Sequence, residues 1–197
     1  TRTLPFSGRR LGLLMIQAVF FFIFGFFLME FNKVFLPDKR SAIIILSLVI
    51  VFMVYTFFMS RFESPVNSRL TFALMLPISF ATMILSILYN RYLSIIAGLY
   101  IVFFTTLIGG SNISTAIIAF CTALVGVFVN EKVEKRTDFL RGGMIVGIIN
   151  IFIIISVALI QEIPVLNMNF LKIIGIAGAS GFINSILVLG ILPLYEN

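Results

Sequence analysis

The sequence predicts an all-α fold, a polytopic membrane bundle of about seven transmembrane helices. First, 60% of the 197 residues are hydrophobic and only 11% are charged, whereas a soluble domain carries roughly 25% charged residues. Second, apolar runs of transmembrane length recur along the whole chain, separated by short polar breaks. We therefore expect the lipid bilayer to surround most of the surface.

The seven apolar runs define the expected helices, and together they form a single transmembrane domain over residues 1–197. Pro77 lies inside the third run and predicts a kink, because proline removes a backbone hydrogen bond. Pro193 is expected to end the seventh. The runs are approximately Leu11–Met29, Ala42–Met59, Leu70–Tyr89, Leu93–Ile108, Ile113–Val129, Phe139–Ile160 and Phe170–Leu192.

The basic residues predict the orientation. Cytoplasmic loops of membrane proteins are enriched in Lys and Arg, and one set of breaks is much the more basic. Taking that set as cytoplasmic places the N-terminus outside and the C-terminus in the cytoplasm, although Arg2, Arg9 and Arg10 on the outer side weaken the bias. The more basic breaks carry Lys33, Lys39, Arg40, Arg91, Lys132, Lys135, Arg136 and Arg141, and the other internal breaks carry Arg61, Arg69 and Lys172.

The densest charge cluster comes after the fifth run. Its mixed signs predict a solvated cytoplasmic loop, with a coupling surface as the alternative. The candidate residues are Lys132, Lys135, Arg136, Asp138 and Arg141. Because the chain's basic residues lie in breaks and not on a face with interleaved aromatic residues, nucleic acid is not an expected partner.

The residue inventory excludes most catalysis. The chain has no histidine and one cysteine, Cys121, so a His-based acid–base site, a Ser-His-Asp triad and a Cys-rich metal cluster are ruled out. Cys121 is expected to be a small buried core residue. No Asp, Glu, Lys or Arg lies inside a predicted span, which disfavours a proton- or ion-coupled transporter. We expect no catalytic residues, metal or cofactor in this chain.

Four polar residues at membrane depth form a candidate site: Gln17, Asn150, Asn184 and Ser185. Such side chains normally form hydrogen bonds between helices. Contact with an intramembrane ligand is the alternative.

Small residues repeat at every fourth position in the last two helices. Gly143 and Gly147 form a GxxxG step in the sixth, and Ala177, Gly181 and Ser185 have the same spacing in the seventh. Small residues allow helix backbones to approach closely in lipid. This pattern predicts packing between the two helices, and homodimerisation is the alternative.

The end of the seventh helix is a candidate for output coupling. Pro193 would set a bend there, because it restricts the residue before it. Tyr195 is suited to the membrane interface, and Glu196 comes directly after it. The simpler alternative is that Pro193 only terminates the helix.

Two stretches resemble the membrane region of bacterial 7TMR-HD proteins, the PgpH-type cyclic-di-AMP phosphodiesterases. They are Arg136–Gly143, continuing to Gly147 and Asn150, and Asn184–Leu187 with Gly190–Glu196. The resemblance implies an extracytoplasmic domain before this chain and a cytoplasmic HD hydrolase domain after it. This chain would be the middle piece of such a protein, which agrees with its start at Thr1 without a methionine.

Three functions are compatible with these observations. The first is a signal-transducing domain that relays an extracytoplasmic or intramembrane cue to a cytoplasmic phosphodiesterase. The second is a substrate-binding membrane subunit of a small-molecule transporter. The third is a structural anchor, in which the polar residues at membrane depth should tolerate substitution.

The charge bias makes a testable prediction about topology. In a Cys121-free background, Glu134→Cys should be protected from a membrane-impermeant thiol reagent in intact cells, because its loop is expected in the cytoplasm. A cysteine in the loop Gln161–Asn169 should be labelled from outside. Labelling of position 134 from outside would contradict the predicted orientation and support the opposite one.

Overall fold

A computed structural model describes residues 8–30, 39–59, 68–108, 112–129, 136–165 and 167–195. Within these ranges every regular element is an α-helix and no strand occurs, so the all-α prediction is confirmed. The helices are α1 (Gly8–Glu30), α2 (Lys39–Met59), α3 (Ser68–Met75), α4 (Ile78–Leu88), α5 (Arg91–Ile108), α6 (Ile113–Val129), α7 (Arg136–Ile160) and α8 (Met168–Tyr195).

Three of these helices are long and apolar enough to cross a membrane, counted over the described residues. They comprise Arg91–Ile108 in α5, Thr137–Ile160 in α7 and Met168–Ile191 in α8. Shorter apolar helices occupy Ile45–Thr56, Ile78–Leu88 and Ile113–Val129. The structure thus supports a membrane-type helical chain with three spans of full length.

The chain divides into two compact units, residues 1–47 and 48–197. The first holds α1 and the beginning of α2. Its Phe-rich helix exposes Phe22 and Phe26, as expected of a surface in contact with lipid. The second holds the remainder of α2 and all of α3 to α8.

Asparagine residues begin three of the helices. Each accepts a hydrogen bond at Oδ1 from the backbone N–H two residues later: Asn90 from Tyr92 at 3.2 Å, Asn112 from Ser114 at 3.0 Å and Asn167 from Asn169 at 3.3 Å. Such a cap satisfies one of the donors that a helix start leaves free. These side chains explain why the polar breaks become helix starts.

The third expected span is broken and not merely kinked. α3 ends at Met75, and α4 begins at Ile78. Between them Pro77 has φ −77° and ψ 54°, and the Ile78 N–H donates to the Leu76 carbonyl at 2.8 Å. This is the geometry of an inverse γ-turn. The two residues that flank Pro77 are buried, since Leu76 is 1% and Ile78 0% exposed, and Pro77 itself is half-buried.

The helix boundaries correct two sequence-based predictions. Arg136, Asp138 and Arg141 lie in the first turns of α7 and not in a loop. Asp138 occupies the first turn, where the helix dipole stabilises a negative charge. Lys132 and Lys135 lie outside the described residues.

Pro193 does not end the last helix, because α8 continues through it to Tyr195. Proline is tolerated inside membrane helices, where neighbouring groups can satisfy the freed carbonyl. The described backbone is therefore helical across the predicted bend. Glu196 lies outside the described residues.

The core has two parts within the second unit. α4 is enclosed along most of its length, with Ile78, Ala81, Met83, Ile84 and Leu85 all 0% exposed. A second cluster joins α3, α6, α7 and α8, and its buried members are Ala73, Leu74, Ile118, Ile154, Val157, Ala158, Phe170, Ile173 and Ala177. Cys121, expected in the core, is only half-buried and has a free thiol.

A capped turn ends α7. The Ile163 N–H donates to the Ala158 carbonyl at 2.9 Å, and the Glu162 N–H donates to the Leu159 carbonyl at 3.2 Å. These two bonds define a Schellman motif. Glu162 occupies the left-handed position at φ 55°, where glycine is normally preferred because it lacks a Cβ.

Glu162→Gly should therefore raise the thermal stability of the purified protein, by about 1 kcal/mol, since it relieves the left-handed strain. Glu162→Ala is the matched control: it removes the same charge but keeps the Cβ. Thermal unfolding in detergent measures both. Equal stabilisation by the two variants would show that the charge, and not the backbone angle, limits stability here.

Candidate intramembrane polar site

Asn150 is the centre of a hydrogen-bond network near the middle of α7. It is 1% exposed. Its Oδ1 accepts from Thr122 Oγ1 of α6 at 2.9 Å, and its Nδ2 donates to Ser180 Oγ of α8 at 3.2 Å. Ser180 Oγ in turn donates to the Ala177 carbonyl at 2.8 Å. One amide thus links three helices.

Asn184 makes a second link from α8. It is 4% exposed, and its Nδ2 donates to Ser79 Oγ at 2.7 Å. Ser79 is fully buried and lies at the start of α4, directly after the break. Because Asn184 is four residues after Ser180, both side chains lie on the same face of α8. That face of α8 therefore bonds to α7 through Ser180 and to α4 through Asn184.

Of the other two candidate residues, Ser185 does not join this network. Ser185 is buried, but its Oγ donates to the Phe182 carbonyl of its own helix at 2.8 Å. Gln17 lies in α1, and its side chain is outside the part of the structure that is described. The structure thus gathers the bonds of Asn150 and Asn184 at one face of α8 and leaves Ser185 beside it.

α4 is tied to its neighbours by further hydroxyl groups. Ser94 Oγ of α5 donates to the Thr82 carbonyl at 2.6 Å, and Ser86 Oγ donates to the Val127 carbonyl of α6 at 3.1 Å. At the far end of α6, Gln161 Nε2 donates to Ser114 Oγ. In lipid no water competes for these groups, so each bond must be supplied by the chain.

The small residues bring α7 and α8 into backbone contact. A Cβ on Gly147 would lie 2.5 Å from the Gly178 carbonyl oxygen, and one on Gly143 would lie 2.8 Å from the Gly181 carbonyl oxygen. A Cβ on Gly181 would meet the backbone nitrogen of Gly147. Because higher numbers on α8 meet lower numbers on α7, the two helices are antiparallel.

The remaining small residues flank this contact. Ser185 lies directly opposite Gly143, and Ala177 is fully buried in the cluster between α7 and α8. Gly143 and Gly147 are also buried within the chain. They are therefore not exposed to a second copy, and a dimer would need another surface.

Sequence reasoning missed the partners of the candidate amides. Thr122, Ser180 and Ser79 are hydroxyl residues within apolar runs, and nothing in their local sequence distinguishes them from the other Ser and Thr residues there. Gly178 was missed because it stands outside the four-residue spacing. Two other buried hydroxyls, of Thr105 and Thr115, have no hydrogen-bond partner among the described residues.

The chemistry of this site is that of neutral amides and hydroxyls. They can donate and accept hydrogen bonds but cannot exchange protons near neutral pH. No cluster of three or more His, Cys, Asp or Glu residues occurs in the described ranges. A surface groove between α5 and α6 is lined by apolar residues, including Gly98 and Ala123, and does not contain the network.

These features define a helical membrane-type domain whose helices are held together by contacts between small residues and by internal hydrogen bonds. Residues 8–197 match the family described as "7TM receptor with intracellular HD hydrolase". The chain belongs to this family, which confirms the resemblance found in its last two helices. No solved structure matches the chain.

Two curated relatives carry the same name. The chain is 29% identical, over 80% of its length, to the cyclic-di-AMP phosphodiesterase PgpH of Listeria monocytogenes. It is 24% identical, over 98% of its length, to the cyclic-di-AMP phosphodiesterase PgpH of Bacillus subtilis. The matched regions are 22% and 27% of those two proteins, so the chain spans about a quarter of the curated relatives.

The contact between α7 and α8 makes a matched prediction within one helix. Gly181→Ala should destabilise the protein by roughly 1–3 kcal/mol, because the added Cβ meets backbone atoms that cannot rotate away. Gly175→Ala in the same helix should be neutral or stabilising, since its Cβ would meet nothing within 4 Å and alanine is the better helix former. Thermal unfolding in detergent compares the pair. Equal stability of the two variants would contradict the close packing.

Proposed function

We propose that this chain is the transmembrane sensor and signal-transducing domain of a cyclic-di-AMP phosphodiesterase. It relays an extracytoplasmic or intramembrane cue to a cytoplasmic HD hydrolase domain. The observation that carries the proposal is the family match over residues 8–197, because the family description joins a receptor of this type to an intracellular hydrolase. The names of the two relatives supply the substrate.

The hydrolytic activity belongs to another part of the protein. All 197 residues lack histidine, so a metal-binding or acid–base histidine would have to come from outside this chain. The partners of the chain are accordingly the bilayer of the bacterial plasma membrane and its own flanking domains. The chain itself needs no cofactor.

The proposed topology has seven spans, with the N-terminus outside and the C-terminus in the cytoplasm. The spans are α1, α2, the broken pair α3 and α4, α5, α6, α7 and α8. The excess of basic residues in one set of breaks supports this orientation. An odd number of spans puts the two ends of the chain on opposite sides of the membrane, so with the N-terminus outside the end of α8 lies on the side of an intracellular hydrolase.

The alternative of a transporter subunit receives no support from the comparisons. The described polar groups at membrane depth also argue against it, since Asn150 and Asn184 are paired within the chain. A structural anchor remains the alternative to test, because it would need the same packing but no movement. The two differ in whether α8 transmits a change to the hydrolase domain.

A register experiment in the full-length protein tests the relay. One to four alanines are inserted after Tyr195, and cyclic-di-AMP hydrolysis is measured in lipid nanodiscs. Each added residue rotates the attached hydrolase domain by about 100° relative to α8. One or two insertions should therefore change the activity strongly, whereas four, which return to within about 40° of the starting direction, should restore much of it.

Gly-Ser insertions of the same lengths are the control, because they add length without helical register. These insertions should reduce the response of hydrolysis to any effector, and hydrolysis should not vary periodically with the number of inserted residues. If hydrolysis is the same for all alanine insertions, α8 carries no signal and the chain is an anchor.

A further inference from the structure

The break in the third span lies against the output helix. The start of α4 bonds to α8 through Ser79 and Asn184, at 2.7 Å. The end of α3 bonds to α2, since Tyr55 Oη donates to the Met75 carbonyl at 3.4 Å. The hydrogen bonds on the two sides of the break thus come from different helices.

These two bonds differ in strength. A donor–acceptor distance of 2.7 Å is that of a good hydrogen bond, whereas 3.4 Å is near the limit at which such an interaction is meaningful. Both partners of the short bond are buried. Loss of the Tyr55 bond at the end of α3 would therefore cost less free energy than loss of the Asn184 bond at the start of α4.

α4 itself is fixed to a rigid neighbourhood. Besides the bonds from Ser94 and Ser86, Gly126 of α6 lies so close that an added Cβ would be 2.9 Å from the Ser79 carbonyl oxygen. Backbone approach of this kind resists continuous deformation, so change occurs as a step between discrete arrangements. α4, α5 and α6 consequently move together.

We propose that the break at Leu76 and Pro77 is a hinge, and that the hydrogen bond from Asn184 to Ser79 couples this hinge to α8. With the bond formed, α8 is held in one position against α4. When the hinge changes its angle the bond breaks, and α8 adopts a second position. This inference rests on the proposed function, which makes α8 the output helix.

A distance measurement tests the coupling without using the hydrolase. Leu99→Cys in α5 and Leu187→Cys in α8 carry spin labels, since both side chains are exposed, in the full-length Cys121→Ser protein in nanodiscs. The unmodified hinge should give one narrow distance distribution. Asn184→Leu and Ser79→Ala should each add a second distance population.

The double variant should show the same two populations in the same ratio as the single variants, because both remove one bond. Asn150→Leu is the matched control: it also removes a buried amide bond to α8, but away from the hinge, and should leave the distribution narrow. Ser79→Ala removes a single oxygen atom, which keeps one arm of the test independent of misfolding.

Two results would overturn the coupling: an unchanged distribution in both Ser79→Ala and Asn184→Leu, or equal broadening in Asn150→Leu, which would indicate general loosening. A second population that leaves hydrolysis unaffected would support the hinge and contradict the relay to the hydrolase. If hydrolysis varies with the number of inserted alanines as predicted but the label distances stay unchanged in Ser79→Ala and Asn184→Leu, the relay through α8 is supported and the hinge is contradicted.

Discussion

Hydrogen bonding without water is the constraint on which the rest of this structure depends. A polar group at membrane depth has only the chain itself as a partner, and an unsatisfied group costs free energy. Asn150 and Asn184, the buried amides of the described helices, accordingly meet hydroxyls from other helices. The same requirement explains why, beside the break, neighbouring helices supply Tyr55 to the Met75 carbonyl and Asn184 to the Ser79 hydroxyl.

Contact between backbones is the second organising feature. In lipid, apolar side chains gain little by leaving one apolar environment for another, so association depends on dense packing. The glycines of α7 and α8 provide it over two turns, and the asparagine network lies directly beside them. The hydrogen bonds then fix the register of helices that packing alone would leave free to slide.

The sequence predicted the helices well because their lengths and apolar content are local properties. It also identified Asn150, Asn184 and the glycine spacing, since these are exceptions within apolar runs. It could not identify Ser79, Thr122 or Ser180 as partners, because a hydroxyl acquires a role only from the helix opposite. For the same reason Pro77 indicated a kink, whereas the break depends on what surrounds it.

The two boundary errors have a common origin. Charge and proline are the strongest local signals for a helix end, and both were overruled. Arg136, Asp138 and Arg141 extend α7 beyond its apolar part, and Pro193 stands within the last turn of α8. Charged residues and proline therefore predict where the apolar part of a helix ends better than they predict where its backbone hydrogen bonds end.

The connection between α7 and α8 has a consequence for biosynthesis. It is short, it is closed by a Schellman turn on one side and by the Asn167 cap on the other, and the two helices that it joins touch along their backbones. Contacts so near in sequence form with little loss of chain entropy. We expect these helices to enter the bilayer together as a hairpin that is stable before the remaining helices assemble around it.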